Sequence, residues 1–412
     1  MISIELIRSN PQQVKEMLKK RENDFNLDKF LQVDEDYRKN LAKLEELQRR
    51  RNVLSKERTE TAIERAKKLK QDIIDLTDIV DKLLKERNDL WALIPNMLDE
   101  RVPVGESDAD NVEFKRVGEI RKFDFTPKWH DEIATNLDIL NVKAGTKVAT
   151  AGFYYWKGDG ARLVSAMFNF ALDTLIERGY EQFYTPILAK YNTFFGTGYL
   201  PFAQDQLYTI TNEGLSLIGT SEQTLVSYNE NETIDLSNGA KKYTALTPCF
   251  RTEAGSYGKE TKGIFRVHQF YKVEQIIVCK PEESKKWHEF CLDCEETILQ
   301  KLGIPYRVVN VCTGDLGAPA SMKYDIEGYF PAYGGYRELT SNSNLLDYQT
   351  RRLNIKFKHD GITEYPHTIS ATGITERALL CIIENYQNED GSITIPEVLV
   401  PYMKGQTKII KK

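Results

Sequence analysis

Residues Ile264-Phe-Arg-Val-His-Gln-Phe-Tyr-Lys-Val-Glu-Gln-Ile276 alternate between two kinds of side chain. In an extended chain Arg266, His268, Phe270, Lys272 and Glu274 share one face, and Phe265, Val267, Tyr271 and Val273 share the other. One face packs; the other presents cations, a carboxylate and an aromatic ring. An antiparallel strand with a solvated outer face would alternate in the same way. The residues just before it favour a site. Thr247-Pro-Cys-Phe-Arg-Thr-Glu253 reads as a second strand with Arg251 and Glu253 on one face, and the loop 254–263 joins the two. A hairpin with Arg and Glu at its mouth clamps a phosphate and reads an amine together. A third polar strand, Tyr336-Arg-Glu-Leu-Thr-Ser-Asn342, places Glu338 and Thr340 on one face, with Ser341 following. A carboxylate with hydroxyls beside a phosphate clamp suits Mg²⁺, a hard cation that keeps several waters.

Around these strands, amphipathic helices are predicted at about 161–178, 283–302 and 375–387. Long connections without a repeated βαβ alternation give an α+β domain on an antiparallel sheet. Gly373-Ile-Thr-Glu-Arg377 opens the last helix, where Arg377 adds its charge to the anion-favouring end. There is no G-x-x-x-x-G-K-[ST], no strand-borne G-x-G-x-x-G, and no His-Ile-Gly-His or Lys-Met-Ser-Lys-Ser element. A nucleotide site must therefore use Arg and Glu side chains on strands. His288, Cys291 and Cys294 recur at i, i+3, i+6 on one helix, but no second cysteine pair stands at zinc-site spacing, so they read as core and no structural zinc is expected.

Toward the N-terminus the texture changes. Residues 34–94 contain neither glycine nor proline. Leu69, Ile73, Leu76, Val80, Leu83, Arg87, Leu90 and Ile94 follow a 4-3-4-3 spacing broken only by the one Arg, and Ala62 and Ala66 extend the row. A seam of this kind needs a partner helix. The stretch containing Tyr37, Leu41, Leu44, Leu47 and Leu54 supplies it, giving an antiparallel hairpin over about 27–94 that turns near 57–61. Arms of roughly 33 residues reach about 50 Å. Arg49, Arg50, Arg51, Lys56, Arg58, Arg65, Lys67, Lys68 and Lys70 face only Glu57, Glu60 and Glu64 at the far end, a balance of +6. A solvated helical face is the bland account of that charge, and a polyanion-binding tip is the sharper one. Val102 to Asn111 is turn-rich, so the chain divides into a helical domain, 1–100, and a mixed domain, 101–412.

The chain has 412 residues with a formal charge of −5 and is 41% hydrophobic, which excludes both a disordered polymer and a globally basic nucleic-acid coat. Its six cysteines, all in the C-terminal half, form no disulfide framework. Glu5 and the lack of an apolar run argue against a signal peptide, and no segment is long enough to span a bilayer, so a soluble, cytoplasmic protein is expected.

Phe250-Arg-Thr-Glu-Ala-Gly-Ser256, Arg266-Val-His-Gln-Phe270 with Lys272-Val-Glu274, Thr313-Gly-Asp-Leu-Gly317, Tyr336-Arg-Glu338, and Glu384-Asn-Tyr-Gln387 followed by Ile395-Pro-Glu-Val-Leu399 occur in that order. With Ile4 to Pro11 and the helical arm, they resemble the bacterial-type seryl-tRNA synthetases, class II enzymes, over essentially the whole chain. The resemblance implies formation of seryl-adenylate from L-serine and ATP, then transfer of serine to the 3′ end of tRNA(Ser), with tRNA(Sec) an open question. It implies class II motifs at about 161–186, 245–276 and 368–387, the first in a homodimer interface that includes Arg178 to Pro186. Arg251 would grip the α-phosphate and the serine carboxylate, and Glu253 would read the adenine amine. Phe270 would stack on adenine, Thr252, Val267, Leu339 and Thr340 would line the nucleotide, and Arg377 would hold the γ-phosphate. Glu338 and Ser341 would carry Mg²⁺. Thr220, Ser221 and Glu222 would meet the serine amino group, and Glu274 and Thr372 its hydroxyl. The nine basic residues of the arm would bind tRNA.

One segment departs from the family pattern. Thr368-Ile-Ser-Ala-Thr-Gly373 and Ile374-Thr-Glu-Arg377 stand where the family has Thr-Leu-Asn-Gly-Ser-Gly and Leu-Ala-Val-Gly-Arg, one residue longer. Thr372 replaces a serine hydroxyl, and Ser370 stands at an asparagine position. Two other classes compete with the ligase: a synthetase-like binding protein, which has no need of Arg251, Glu253, Glu274, Glu338 and Arg377 together, and a ligase for a carrier protein, which has no need of the arm.

Overall fold

A computed structural model describes residues 1–57, 59–254 and 263–412. The chain forms two compact units, Met1–Pro95 and Asn96–Lys412. Arg58, one of the nine tip cations, and most of the loop 254–263 lie outside the described residues.

The first unit contains helices α1 (Ile4–Ser9), α2 (Pro11–Lys20), α3 (Leu27–Leu54) and α4 (Glu60–Ala92). Their starts are written locally. Ser3, Asn10, Asn26 and Thr59 each cap a helix by accepting a backbone N–H, and Pro11 occupies the first turn of α2. α3 and α4 form the antiparallel hairpin, closed on Leu44, Ile73 and Val80, with Tyr37, Leu41, Leu47 and Leu76 against them. The turn comes slightly earlier than the pattern implied, after Leu54, because the Thr59 cap starts α4 at Glu60. α4 has 33 residues and α3 only 28. The arginine in the heptad row has its own partners: the Arg87 guanidinium lies 4.3 Å from the Tyr37 ring centroid and 3.9 Å from Asp34. Asp34 is fully buried and also receives Arg8 at 2.7 Å and Arg38 at 3.1 Å.

The second unit is built on eight strands: β1 (Val112–Val117), β2 (Glu181–Phe183), β3 (Lys241–Phe250), β4 (Gln269–Cys279), β5 (Tyr306–Asn310), β6 (Met322–Phe330), β7 (Gly335–Leu346) and β8 (His367–Thr375). Their order across the sheet is β1-β5-β6-β7-β8-β4-β3-β2, antiparallel throughout except for β2 beside β3. Five helices bear on the site: α5 (Gly158–Glu177), α6 (Glu222–Ser227), α7 (Ser284–Lys301), α8 (Tyr348–Arg352) and α9 (Glu376–Asn385). α5, α7 and α9 bury their apolar stripes against one face of the sheet in a single core that includes Leu163, Phe168, Cys291, Ile298, Leu379, Ile382, Val273, Ile277 and Ile326. Near 25 cal/mol per Å² of apolar surface removed from water, such a core carries most of the drive for folding. On the other face Tyr243, Ala245, Ile276 and Val278 close a second apolar cluster with Leu225, Val226 and Phe357, and polar side chains occupy the part beside it. Asn96 already belongs to this unit: its amide donates to the carbonyls of Pro319 and Leu345, at 2.9 and 2.7 Å. The turn-rich stretch near 105 does too, since Gly105 N–H donates to Thr313 Oγ1 at 3.2 Å.

Candidate active site

β3 and β4 pair from Phe250↔Gln269 to Lys241↔Val278, so the expected hairpin is present but shorter. β4 begins at Gln269, which leaves Phe265, Arg266, Val267 and His268 outside the strand, and β3 ends at Phe250, before Arg251 and Glu253. The common strand faces expected for Arg266 with His268, and for Arg251 with Glu253, are therefore corrected. Glu253 sits at φ +52°, a left-handed conformation that ends any extended run. Tertiary bonds place these residues instead. Arg251 N–H donates to the His268 carbonyl at 3.0 Å, and Arg266 pairs with Glu253 at 3.2 Å. The Arg251 guanidinium lies 5.3 Å from the Phe270 ring centroid. Thr252 is spent on the backbone: its hydroxyl donates to the Asp205 carbonyl.

Arg251, Glu253 and Arg266, but not Thr252 or His268, rim a cavity of about 250 Å³ that also takes in Val267, Phe270, Lys272, Lys323, Glu338, Leu339, Thr340, Ser341, Thr372 and Arg377. A β-bulge decides which side chains of β7 matter. The β6–β7 register passes from Ile326↔Thr340 to Glu327↔Glu338, leaving Leu339 as the extra residue. Thr340 and Asn342 then face α7, where Thr340 meets the buried Glu295 and the Asn342 carbonyl accepts from His288 Nε2 at 3.0 Å. Glu338 and Ser341 remain with the cavity. The shared face expected for Glu338 and Thr340 is corrected for that reason, although Thr340 still lines the cavity. Arg377 Nη1 donates to Glu338 Oε2 at 2.8 Å, and Thr375 caps α9 by accepting from Arg377 N–H. Loss of water in the cavity wall pushes the Glu338 carboxyl upward, but Arg377, Lys323 and Arg251 outweigh it and hold it below the ordinary carboxylate range. Asp325, 2.8 Å from Lys323, moves the other way, raised by burial against the pull of its lysine.

A second cavity, of about 400 Å³, shares Arg251, Lys272, Lys323 and Ser341 with the first and adds Thr220, Glu222, Glu274, Ser343 and Ser370. Glu274 is buried in β4, and its Oε2 takes both the Thr220 hydroxyl and the Lys272 ammonium. Burial, and then the neighbouring Glu274, raise the Glu222 carboxyl above its usual range. Ser221 is fully buried behind them. A further bulge, at Gly373, changes the β4–β8 register from Val273↔Ile374 to Glu274↔Thr372. A Cβ on Gly373 would meet Val273 and Leu175 at 3.0 and 3.1 Å, so only glycine packs there comfortably. Thr372 lines the first cavity and Ser370 the second.

The chain that carries these two joined cavities, one edged by Arg, Glu and Phe and one floored by two carboxylates, matches known proteins over its full length. The profile of the seryl-tRNA synthetase N-terminal domain covers residues 1–98, and that of the tRNA synthetase class II core domain (G, H, P, S and T) covers 208–386. The serine–tRNA ligase of Dictyoglomus thermophilum is 43% identical over 417 residues, 98% of each chain. The chain belongs to the seryl-tRNA synthetase family. It is thus an aminoacyl-tRNA ligase with a class II core. The crystal structure of seryl-tRNA synthetase from Pyrococcus horikoshii complexed with ATP superposes with a TM-score of 0.94 at 36% identity over 100% of both chains. The cytoplasmic enzyme of Naegleria fowleri in complex with AMP gives 0.89 at 35%, over 99% of this chain and 97% of that one.

Of the basic residues at the arm's tip, Arg49, Arg50, Lys56, Arg65, Lys67, Lys68 and Lys70 are exposed and Arg51 is half-buried. Arg49, Arg50, Arg65 and Lys68 border a groove between the two helices with Val53, Leu54 and Leu69. Glu46 pairs with both Arg49 and Arg50. No helix among the described residues is long and apolar enough to cross a membrane. Sequence reasoning passed over Lys323, Ser343 and Gln349. The first had a signal, since Lys323, Asp325 and Glu327 alternate with apolar residues in one strand. Gln349 had none, because its value depends on partners 127 residues away.

Proposed function

We propose that this enzyme activates L-serine with ATP in the two joined cavities and transfers the seryl group to the 3′ end of tRNA(Ser). The observation that carries the proposal is the shared wall. Arg251 borders both cavities, so one guanidinium reaches the α-phosphate in the first and the substrate carboxylate in the second. In the first step a serine carboxylate oxygen bonds to the α-phosphorus, the bond from that phosphorus to the bridging oxygen breaks, and pyrophosphate leaves with the electron pair. In the second, a ribose hydroxyl of the tRNA end attacks the acyl carbon and AMP leaves. Neither step needs a protein nucleophile; positioning and fixed charge supply the barrier reduction.

Phe270 stacks on the adenine, Glu253 reads its amine, and Val267, Leu339 and Thr340 line the nucleotide, with Thr252, just before Glu253, held on the Asp205 carbonyl. Arg377 takes the γ-phosphate. Glu338 and Ser341 fit a hard cation, being a carboxylate kept ionised and a hydroxyl on one cavity face. They are the residues that would hold Mg²⁺, which screens the charge of the departing pyrophosphate. Thr220 and Glu222 receive the ammonium group, with the fully buried Ser221 between them in sequence, and Glu274 with Thr372 the hydroxyl. Alanine would leave the buried Glu274 without that hydroxyl, which selects against it. The exposed bases of the arm bind the long variable arm and elbow of the tRNA, which lies across a homodimer joined through the segment Arg178 to Pro186. The cytoplasm supplies these substrates, and tRNA(Sec) is a second acceptor to assay.

The test is amino-acid-dependent ATP–pyrophosphate exchange with serine, threonine, alanine and glycine, followed by charging of tRNA(Ser). Exchange with serine far above the other three is expected, and absence of serine-dependent exchange would refute the proposal.

A further inference from the structure

Glu222 opens α6, and its Oε1 accepts a hydrogen bond from Gln349 Nε2 at 2.7 Å. The same nitrogen donates to the Thr197 carbonyl at 3.1 Å, while Gln349 Oε1 accepts from the Thr368 hydroxyl at 2.8 Å. Gln349, on α8, and Thr368, on β8, are both fully buried. The two ends of an amide have nearly the same shape and opposite hydrogen-bonding sense. Here the nitrogen end decides the assignment: the Thr197 carbonyl and the Glu222 carboxylate can only accept, so they hold the nitrogen on the Glu222 side, and the Thr368 hydroxyl, which could donate or accept, donates to the oxygen.

The chemistry of that contact is specific. Glu222 and Glu274 are two carboxylates on one cavity, and the nearest cation, Lys272, is closed onto Glu274 Oε2. Glu222 is served instead by neutral donors, the Gln349 amide first and the Ser370 hydroxyl beside it. A lysine or arginine in that place would satisfy it but would also neutralise it, and a neutralised carboxylate attracts an ammonium group weakly. An amide donates a hydrogen bond and brings no net charge.

We propose that Gln349 is a positioning residue for the amino acid, holding the Glu222 carboxylate in place with its charge unspent so that it meets the substrate ammonium group. This rests on Glu222 being the group that receives the ammonium. Thr368 acts one step further back, by anchoring the oxygen end of the Gln349 amide.

Steady-state pyrophosphate exchange on the full chain tests it, with thermal melts to confirm folding and Glu222→Ala as reference. Gln349→Met keeps the length and removes the donor. It should raise KM for serine about 10- to 100-fold, the range set by one hydrogen bond to a charged group, and leave KM for ATP within about twofold. Gln349→Lys should impair serine binding at least as much as Gln349→Met, although it restores a donor. Thr368→Val, which keeps the shape and removes the anchor of the amide's oxygen end, should raise serine KM about 3- to 10-fold. Should Gln349→Met not fold, Thr368→Val carries the test by the same split between the two KM values. If Glu222→Ala raises serine KM while Gln349→Met and Thr368→Val leave it unchanged, or if both constants move together, the inference is overturned. Near-normal serine KM in Gln349→Lys would overturn the charge argument. No effect of Glu222→Ala would instead remove the assignment of Glu222 on which it rests.

Discussion

The arm and the catalytic sheet treat charge in opposite ways. In the arm, Leu44, Ile73 and Val80 close one narrow seam, and the basic residues of the far end stand in solvent on helices that would form with or without them. In the sheet, Lys272, Glu274 and Asp325 are taken out of water, at a cost that only neighbouring charges and hydrogen bonds offset. Exposed charge is inexpensive to keep, is screened by salt, and suits a long polyanion met at many points. Buried charge is costly to keep, is barely screened, and suits a small substrate met at a few fixed atoms. One chain holds both because the contacts that build the arm are near in sequence and those that build the cavities are not.

The strongest way to break that contrast is Arg251→Ala. Removing the cation common to both cavities should lower exchange about a thousandfold, in the range for a preorganised charge at the reacting group. Near-normal exchange would mean that the shared wall is not where the α-phosphate lies.

The buried character of the second unit can be weighed through pH. His288 is buried in α7, donates through Nε2 to the Asn342 carbonyl, and is pushed down to about 4 chiefly by burial. Its folded value lies below the unfolded one, so its contribution is complete above about 6.5 and is lost as pH falls toward 4. That contribution amounts to about 3 kcal/mol. His288→Gln, which keeps a donor and cannot titrate, should flatten this part of the pH dependence of the melting temperature between pH 4 and 7. A slope equal to that of the unchanged chain would show that His288 does not titrate as buried.

The exposed character of the arm is tested by changing Arg49, Arg50, Arg65 and Lys68 together to Ser. Affinity for tRNA should fall about 100-fold, and the log–log salt slope should become shallower by about 3. Serine-dependent exchange should stay as it was; a loss there would show that the two regions are not independent in function. At the small end, Thr59→Ala removes the cap of α4 and should cost about 1 kcal/mol, read as faster amide exchange in α4 with no change in pyrophosphate exchange.

Asparagine and threonine caps, the absence of glycine and proline, and a 4-3-4-3 row of apolar residues determined the arm by themselves, because a helix is decided by residues within a turn or two of each other. Even Arg87 in that row could be located from spacing, though not explained; Tyr37 and Asp34 explain it, from the neighbouring helix and its start. The strand texture, and the residue types Arg251, Glu253, Glu274, Glu338 and Arg377, were equally plain in the sequence. What the sequence could not supply was the side on which each of them stands. Period-2 alternation puts Thr340 with Glu338, but the extra residue Leu339 hands that place to Ser341. The same alternation carries Arg251 into a strand that stops at Phe250. Bulges and strand ends depend on what the neighbouring strand offers, so these positions were settled only when β6 met β7 and β3 met β4. Gln349 is the extreme case: an ordinary polar residue in a short helix, given its meaning by Thr197, Glu222 and Thr368, which only the folded sheet brings within 3.1 Å of its amide.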